Sequence, residues 1–554
     1  MLKTRCIDKL FGGVSIELKE EKIDTVPNLS ELEKPSIILV TATTICCKTP
    51  EENLGLGYLA AVCRKNGVKL TIIDGWLERL TSKEIVQRIL VDKKPVFIGF
   101  SCNQLNGNTA IEVVQILKSE NYSVPFVAGG FGPTFYPEEF LDAGFDFVSI
   151  SESEAMIIDL YNYFLYGKPD ITQISGLCYY GQQHNLIRNK PTCVLNLDEL
   201  PFPCRDTMKY VTKNKIPVIL SSSRGCNGNC LFCSVVAFGR LNDRPKWRGR
   251  SVNNIVDEIE QLYHKGVRHF KFIDDSFVEP PRDEEWFNDF SDQIENRGLS
   301  DIRLRVTLRA DRINDEIISA LCRAGCNVYS CGIENFNADA LKRMGKIANP
   351  EQNKKALDIL KKHNVYVQMG FILFDYGTTL SELRENHEMM NKYSWTISRG
   401  VFSEMFAGKG IPYTELLCKK GIIKGDKHLM NYSYEIQDNK AKMVHKALKD
   451  WHVSHMRMYN MVIEPINKPR ILSDAGVAAF YNLYLDIRQR DLDFMKDVLD
   501  IVENDKSSQY LNNFVCTSIE KCSQWFKEYN DKIEELFALE GIPYMAEDDF
   551  FVLS

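Results

Sequence analysis

The chain has 554 residues, 44% of them hydrophobic and 26% charged, which excludes a disordered or fibrous chain and predicts two to four globular domains. Its net charge of −7, with no long basic run, excludes a broad nucleic-acid groove. The start MLKTRCIDKLFGG has no apolar signal core, and no stretch approaches the roughly 20 apolar residues of a bilayer span, so the 17 cysteines are expected as reduced thiols of a soluble cytoplasmic protein with no membrane partner.

Residues 1–35 read as an N-terminal extension. Over 36–166, strand and helix patterns alternate: SIILVTA (36–42), GLGYLAAVCRKNG (55–67), KLTIIDG (69–75), SKEIVQRILV (82–91), PVFIGFSC (95–102), NTAIEVVQILKSEN (108–121), PFVAGGF (125–131), FDFVSIS (145–151) and SEAMIIDLYNYFLY (153–166). Short apolar runs separated by helical segments predict a doubly wound, Rossmann-like (flavodoxin-like) parallel sheet. Such sheets bind ligands at the carboxyl ends of their strands. The loops there are TTICCKTPEEN (43–53), NQLNGN (103–108) and GGFGPTFY (129–136). No Gly-x-Gly-x-x-Gly follows the first strand, which argues against ordinary dinucleotide binding. Residues 167–215, with SGLCYYG and LDELPFPCRD, read as a connector.

A second alternation fills 216–410. Its strands are IPVILSSS (216–223), HFKFIDDSF (269–277), RLRVTLRA (303–310), NVYSCGIEN (327–335), VYVQMGFILF (365–374) and RGVFSEMFA (399–407). Six strand–helix units are too few for a full eight-unit barrel and predict a partial (β/α)6 TIM-type barrel. Residues 411–554 read as a helical, aromatic-rich region. Its WHVSHMRMYNMV segment (451–462) is expected to close the barrel mouth and shape specificity, or simply to cap the core.

The first barrel strand runs into RGCNGNCLFCS, with cysteines at 226, 230 and 233. Three thiolates on one loop can hold three irons of a cubane cluster and leave the fourth open. Gly225 and Gly228 let the backbone wrap tightly, and Phe232 can shield one side from water. Zinc is the competing reading, but zinc sites favour two Cys-x2-Cys pairs and no second pair sits nearby. The loop's place after the first barrel strand favours the cluster.

The Cys-x3-Cys-x-aromatic-Cys pattern, met in full by residues 226–233, resembles the signature of the radical S-adenosylmethionine (SAM) superfamily. The resemblance implies that Cys226, Cys230 and Cys233 hold a [4Fe–4S] cluster whose open iron is chelated by SAM. An electron from the cluster then yields methionine and a 5′-deoxyadenosyl radical, which takes a hydrogen atom from the substrate. It further implies an electron donor such as flavodoxin or ferredoxin. Phe232 is placed at the cofactor. Asp274 and Asp275 end the second barrel strand and are candidates for binding the cofactor's amino group or the substrate, with a cap or turn as the alternative. Arg309 and Arg312 lie on an Arg-rich third strand like that of related barrels, and Arg309 could pair with the cofactor carboxylate or with a neighbouring acid. Glu334, in Gly-Ile-Glu, matches a position near the cofactor in subfamilies with an N-terminal cobalamin domain. LFDYGTT keeps too little of the relatives' Gly-Pro-Gly-Glu-Thr turn to carry a role. Cys322, Cys326 and Cys331 read as buried barrel thiols rather than a second cluster.

The first sheet resembles the cobalamin-binding domain found ahead of such barrels, through NLGLGYLAAVCRKNG (53–67), IIDG (72–75), AGGFGPTFYPEEFL (128–141) and LDELPFP (197–203). If cobalamin binds, the expected contacts are Thr44, Cys102, Asn103, Gly129, Gly130 and Phe131. Two departures stand out: residues 1–183 contain no histidine to coordinate cobalt, and SISESEA (149–155) stands where relatives tend to show Gly-Glu-Gly-Glu. The leading expectation is a cobalamin-dependent methyltransferase acting on an unactivated carbon of a peptide or a small natural-product intermediate. The alternatives are a radical enzyme without methyl transfer, and a non-enzymatic cluster or cobalamin carrier.

Overall fold

The computed structural model describes residues 35–43, 50–91, 95–103, 105–241, 244–423, 432–467 and 472–542. Nearly all of the expected extension 1–35, and Thr44, lie outside the described residues. Contacts divide the chain into two compact units. One holds the first strand with residues 53–194 and 200–207. The other holds everything from 208 onward together with the short segments 50–52 and 195–199.

The first unit is a seven-stranded sheet in the order β2-β1-β3-β4-β5-β6-β7. Strands β1 (Ser36–Thr41), β2 (Lys69–Asp74), β3 (Pro95–Ser101), β4 (Phe126–Gly129) and β5 (Phe147–Ser149) run parallel. This is the expected flavodoxin-like order. SIILVT is buried at every position because helices cover both faces of a central parallel strand, whereas the edge strand β2 alternates. The helix Leu54–Lys65 starts where the Asn53 side chain accepts from the Leu56 amide, closing the β1-to-helix turn at the carboxyl edge. The connector does more than link. Strands β6 (Leu177–Tyr180) and β7 (Leu186–Arg188) add an antiparallel hairpin beside β5, which buries Leu177 and Cys178 completely.

In the second unit, β8 (Val218–Leu220), β11 (His269–Phe272), β12 (Arg303–Arg309), β13 (Cys326–Glu334) and β14 (Tyr366–Phe371) form a parallel sheet in the order β14-β13-β12-β11-β8. Strands β9 (Ser223–Gly225) and β10 (Trp247–Gly249) make a small antiparallel pair on either side of the cysteine loop. The expected sixth strand is reduced to isolated parallel bridges, Gln368–Ile397 and Phe374–Glu404. The reason lies in the backbone between them. The Ser398 amide donates to the Tyr484 hydroxyl, and the buried Arg488 guanidinium donates to the Gly400 carbonyl at 3.1 Å. Those side chains take the groups a continuous ladder would use.

Tyr484 and Arg488 belong to the helical region, where Asn439–Asn467, Asp474–Glu503 and Ser508–Leu539 pack on one another and on Leu380–Lys392. Their apolar core is continuous with Leu373 and Phe374 of the barrel. The first of these helices breaks at His455, whose φ of −144° and ψ of 17° are not helical. No helix among the described residues is long and apolar enough to cross a membrane.

Candidate active site

The cysteine loop is held at both ends. Ahead of it, Gly225 takes φ +92°, and a Cβ there would stand 2.0 Å from the Lys246 carbonyl oxygen. Only glycine lets β9 and β10 approach so closely. The Cys226 amide then donates to Lys246, the Leu231 amide to the Met344 carbonyl at 2.8 Å, and the Cys233 amide to Cys230. Gly228 faces the sulfurs with bare backbone: its Cβ would lie 3.2 Å from Cys226 Sγ and 3.9 Å from Cys230 Sγ. Burial pushes all three thiols up, Cys226 to about 12. Among the described residues no three His, Cys, Asp or Glu side chains gather closely enough for a single ion. A cubane sets its thiolates on separate irons and does not require that. A soft three-thiol donor set around side-chain-free backbone fits such a cluster. Phe232 is partly buried with Leu231 against the apolar group Met344, Tyr376, Met405 and Tyr413, so it anchors the loop's far side.

Beneath the loop is a buried polar foundation. Asp274 accepts from the Ser222 amide at 2.8 Å, from the Ser222 hydroxyl, and from the Ser223 hydroxyl at 2.6 Å. Burial raises its carboxyl, against the opposing charge of Arg282 with its Nη1 at 3.9 Å. Arg282 is itself buried between aromatic rings, 4.2 Å from the Trp286 centroid and 5.0 Å from Trp247, and donates to the Ser222 carbonyl. The structure thus turns Asp274 toward the strand that leads into Cys226, not toward the loop's open side. Asp275 is different. It is exposed to solvent, yet desolvation by the surrounding protein pushes its carboxyl up to about 6, and it accepts from the Gly225 amide at 3.0 Å.

Arg309 sits over Cys226, with Nη1 4.0 Å from the sulfur. It is already bound by Glu279 at 2.9 Å and by Asp311 at 2.7 Å. Burial alone would weaken its charge, but those two carboxylates outweigh it and raise the pKa. Arg312 approaches Asp311 from the other side at 3.6 Å and is a second-line partner. Glu279, fully buried and 3.5 Å from Cys226 Sγ, was not singled out from the sequence. Nothing in SFVEPP marks it except an acid among apolar residues.

Glu334 ends β13 in a left-handed conformation, φ +65°, which L-residues rarely hold. Its carboxylate meets Lys346 Nζ at 3.2 Å, and both side chains are largely buried. Burial would strip the lysine's proton, but Glu334 first and Cys230 next keep it charged. Nothing in the sequence around Lys346, LKRMGK, marks it for a role. Gly332 and Gly370 pair across β13 and β14 beside this ion pair. A Cβ at Gly332 would lie 2.7 Å from Glu334 Oε1, while at Gly370 the nearest atoms are 3.5 Å away. Cys331 is buried with Lys346, Glu334 and Asp311 as its charged neighbours, whereas Cys322 and Cys326 contact Tyr329, so these three thiols do not come together.

In the first unit, the described residues at the carboxyl edge of the sheet are mainly neutral polar groups, with the buried Asp74 accepting from the Asn53 amide at 3.2 Å. Asn53 Nδ2 donates to the Thr41 and Ser101 hydroxyls at 2.7 Å and 2.9 Å, and the Ser149 and Ser153 hydroxyls lie 2.6 Å apart. Cys102 is buried, and its backbone pairs with Gly129 and Gly132. Gly130, φ +100°, passes so near that a Cβ would meet the Cys102 oxygen at 2.6 Å. Asn103 caps its own turn through the Leu105 and Asn106 amides, and Phe131 packs against Phe135 with the rings tilted by 50° and their centroids 4.7 Å apart. Thr44 lies outside the described residues. Ser151 has φ +73° where a glycine would sit without strain. The edge offers hydroxyls and amides but no imidazole, which fits a large amide-bearing ligand that brings no demand for a protein nitrogen on its metal.

Comparison with known proteins agrees with this division. A family model described as the Radical SAM superfamily matches residues 220–390, and one described as the B12 binding domain matches residues 40–160. An uncharacterized methyltransferase of Pyrococcus horikoshii is 30% identical over 58% of this chain and 69% of its own length. The 4′-phospho-dehydrooxetanocin synthase of Priestia megaterium is 24% identical over 65% of this chain; the match spans about half, 51%, of that relative. The solved structure of the cobalamin-dependent S-adenosylmethionine radical enzyme OxsB with aqua-cobalamin bound superimposes with a TM-score of 0.75 at 21% identity, covering 99% of this chain and 88% of that one.

Proposed function

We propose, from the premise that this chain belongs to the radical SAM superfamily and carries a B12 binding domain, that it installs a methyl group on an unactivated carbon of a small-molecule or peptide substrate. When bound, the [4Fe–4S] cluster and SAM supply a 5′-deoxyadenosyl radical, and cobalamin supplies the methyl group. An unactivated carbon is not nucleophilic, so removing a hydrogen atom first is what opens it to methylation.

The observation that carries this reading is the Cys226–Cys230–Cys233 loop, tied by Gly225 and Leu231 to the top of a partial barrel beside the Glu334–Lys346 pair. In this assignment the three thiols ligate the cluster. Glu334 holds the cofactor's ammonium with Lys346 fixing its carboxylate, and Asp275 is the acid open to the same side. Arg309 and Glu279 orient Cys226. Asp274, Ser222 and Arg282 keep the approach to Cys226 rigid and dry. Gly129, Gly130 and Phe131, with Asn103, shape the cobalamin edge. The chemistry calls for a one-electron donor of the flavodoxin or ferredoxin kind and a reducing cytoplasm.

The test is anaerobic preparation with cobalamin supplied, followed by measurement of iron, sulfide and cobalamin, the visible spectrum, and 5′-deoxyadenosine after reduction with SAM. Cluster, cobalamin and SAM cleavage together are expected. Cluster and cleavage without cobalamin would sink methyl transfer and leave the radical chemistry. One observation favours that second reading, a radical rearrangement or dehydration: serines occupy 149, 151 and 153 at the sheet's carboxyl edge, and Ser151 strains to do so.

A further inference from the structure

The interior of the barrel holds a cation that the described residues leave unanswered. Along β12, Leu304, Val306 and Leu308 are buried, so the alternating Arg305 and Thr307 face the concave side. Register carries that face across neighbouring strands: Lys271 lies beside Arg305, Arg305 beside Val328, and Ser330 beside Gln368. Arg305 Nη2 donates to Gln368 Oε1 at 2.7 Å. Since β12 and β14 are separated by β13, this bond crosses the lumen face of β13.

Three cations come together in this region, and two are matched. Lys271 binds Glu51 at 2.7 Å, and Arg399 faces Glu464 at 3.7 Å. Arg305 has no carboxylate within ion-pair distance among the described residues. Its hydrogen-bond partner is the neutral Gln368 amide, and its Nε is buried with none. Burial presses its pKa down more than Glu51 and Glu464 restore it. A buried guanidinium whose direct partner is a neutral amide, with Glu51 and Glu464 acting only at longer range, is costly to keep. The fork is suited to a carboxylate or phosphate.

We propose that this lumen is the substrate chamber and that Arg305, with Gln368 beside it, anchors an acidic group of the substrate. The proposal rests on the radical SAM reading above and adds the substrate's class: an anion, carboxylate or phosphate. It also adds a length. Arg305 precedes Arg309 by four residues, roughly 13 Å along a strand, and Arg309 Nη1 lies 4.0 Å from Cys226 Sγ. The acid group therefore sits about that far below the cluster loop, with the reacting carbon between.

The experiment uses the full chain, reconstituted anaerobically, titrated with inorganic phosphate and separately with acetate, with calorimetric heat and thermal midpoint as readouts. Saturable binding that raises the midpoint is expected. Arg305→Met should weaken it about tenfold or more and, by removing an uncompensated buried charge, raise the midpoint of the anion-free protein. Arg305→Lys, which keeps the charge without the fork, should fall between, and carries the comparison if the methionine variant does not fold. Preference for phosphate assigns a phosphorylated substrate; preference for acetate assigns a carboxylic acid. Equal anion binding by wild type and variants, no saturable binding by wild type, or a lowered anion-free midpoint in Arg305→Met would each overturn the proposal. Failure of the family reading shows separately, as wild-type protein that assembles no cluster and does not cleave SAM.

Discussion

Gly225 illustrates how much of the site depends on residues that touch no ligand. Replacing it with alanine leaves every thiol in place but drives a Cβ into the Lys246 carbonyl at a backbone angle alanine resists. Gly225→Ala should cost about 2 kcal/mol or more and lower the iron content of reconstituted protein, measured with the thiols counted in parallel. The Glu334–Lys346 pair gives a second expectation at this scale. Both partners are largely buried, with side-chain exposures of 14% and 6%. Glu334→Gln strands a buried ammonium and should cost about 3 kcal/mol, whereas Glu334→Gln with Lys346→Met should recover most of it without recovering SAM cleavage. A thermal double-mutant cycle measures both. The cysteine loop was readable because its logic is local: spacing, two glycines and an aromatic within one short run. Asp274 was readable only as an acid at a strand end. Its partners Ser222 and Ser223 lie 52 and 51 residues back along the chain, and nothing local marks the nearby Arg282 as a third, so its inward turn could not be foreseen.

Among the elements, the helix Asn439–Asn467 is shaped by buried polar groups. Beside its break at His455, Asp491 collects His455 Nε2 at 2.9 Å, Trp451 Nε1 at 2.8 Å and Tyr459 OH at 2.6 Å. His452, one turn before, is buried against Gly400, and burial holds its pKa near 4. The folded state therefore refuses a proton that the unfolded chain accepts. Stability is lost as pH falls from about 6.5 toward 4, by up to about 3 kcal/mol at the acid end. Asp491, whose pKa is lowered, loses its contribution only below the usual carboxylate range. His452→Gln should flatten the midpoint-versus-pH curve between 7 and about 4. The aromatic segment 451–462 was visible as a cap or mouth closure; its convergence on one carboxylate 30 to 40 residues away was not. The sixth strand was predicted from its alternating apolar residues and is interrupted because Tyr484 and Arg488, far along the chain, take its backbone groups.

At the scale of the whole molecule, contacts divide the chain near residue 207. The expected order of flavodoxin-like sheet, connector, barrel and helical region follows from alternation of apolar runs. The separation of the barrel from the helices is where periodicity was silent, because Leu373 and Phe374 share one apolar core with Trp451, Tyr484 and Met495. A chain ending at 410 should expose that core and precipitate or expand, whereas residues 36–207 should fold alone, since the first unit keeps its own core around Ile37, Leu39, Phe97 and Val127. Circular dichroism and limited proteolysis of the two fragments check this.

The paired glycines at 332 and 370 also bear on how such a site can be altered. One is fixed: a methyl at 332 would displace the Glu334 carboxylate. The other is adjustable, because a methyl at 370 meets only ordinary contacts at 3.5 Å. Position 370 is therefore a dial for the space beside the Glu334–Lys346 pair. A methyl there fills that space with ordinary contacts, and so offers selection or engineering a step toward smaller substrates that costs the fold little.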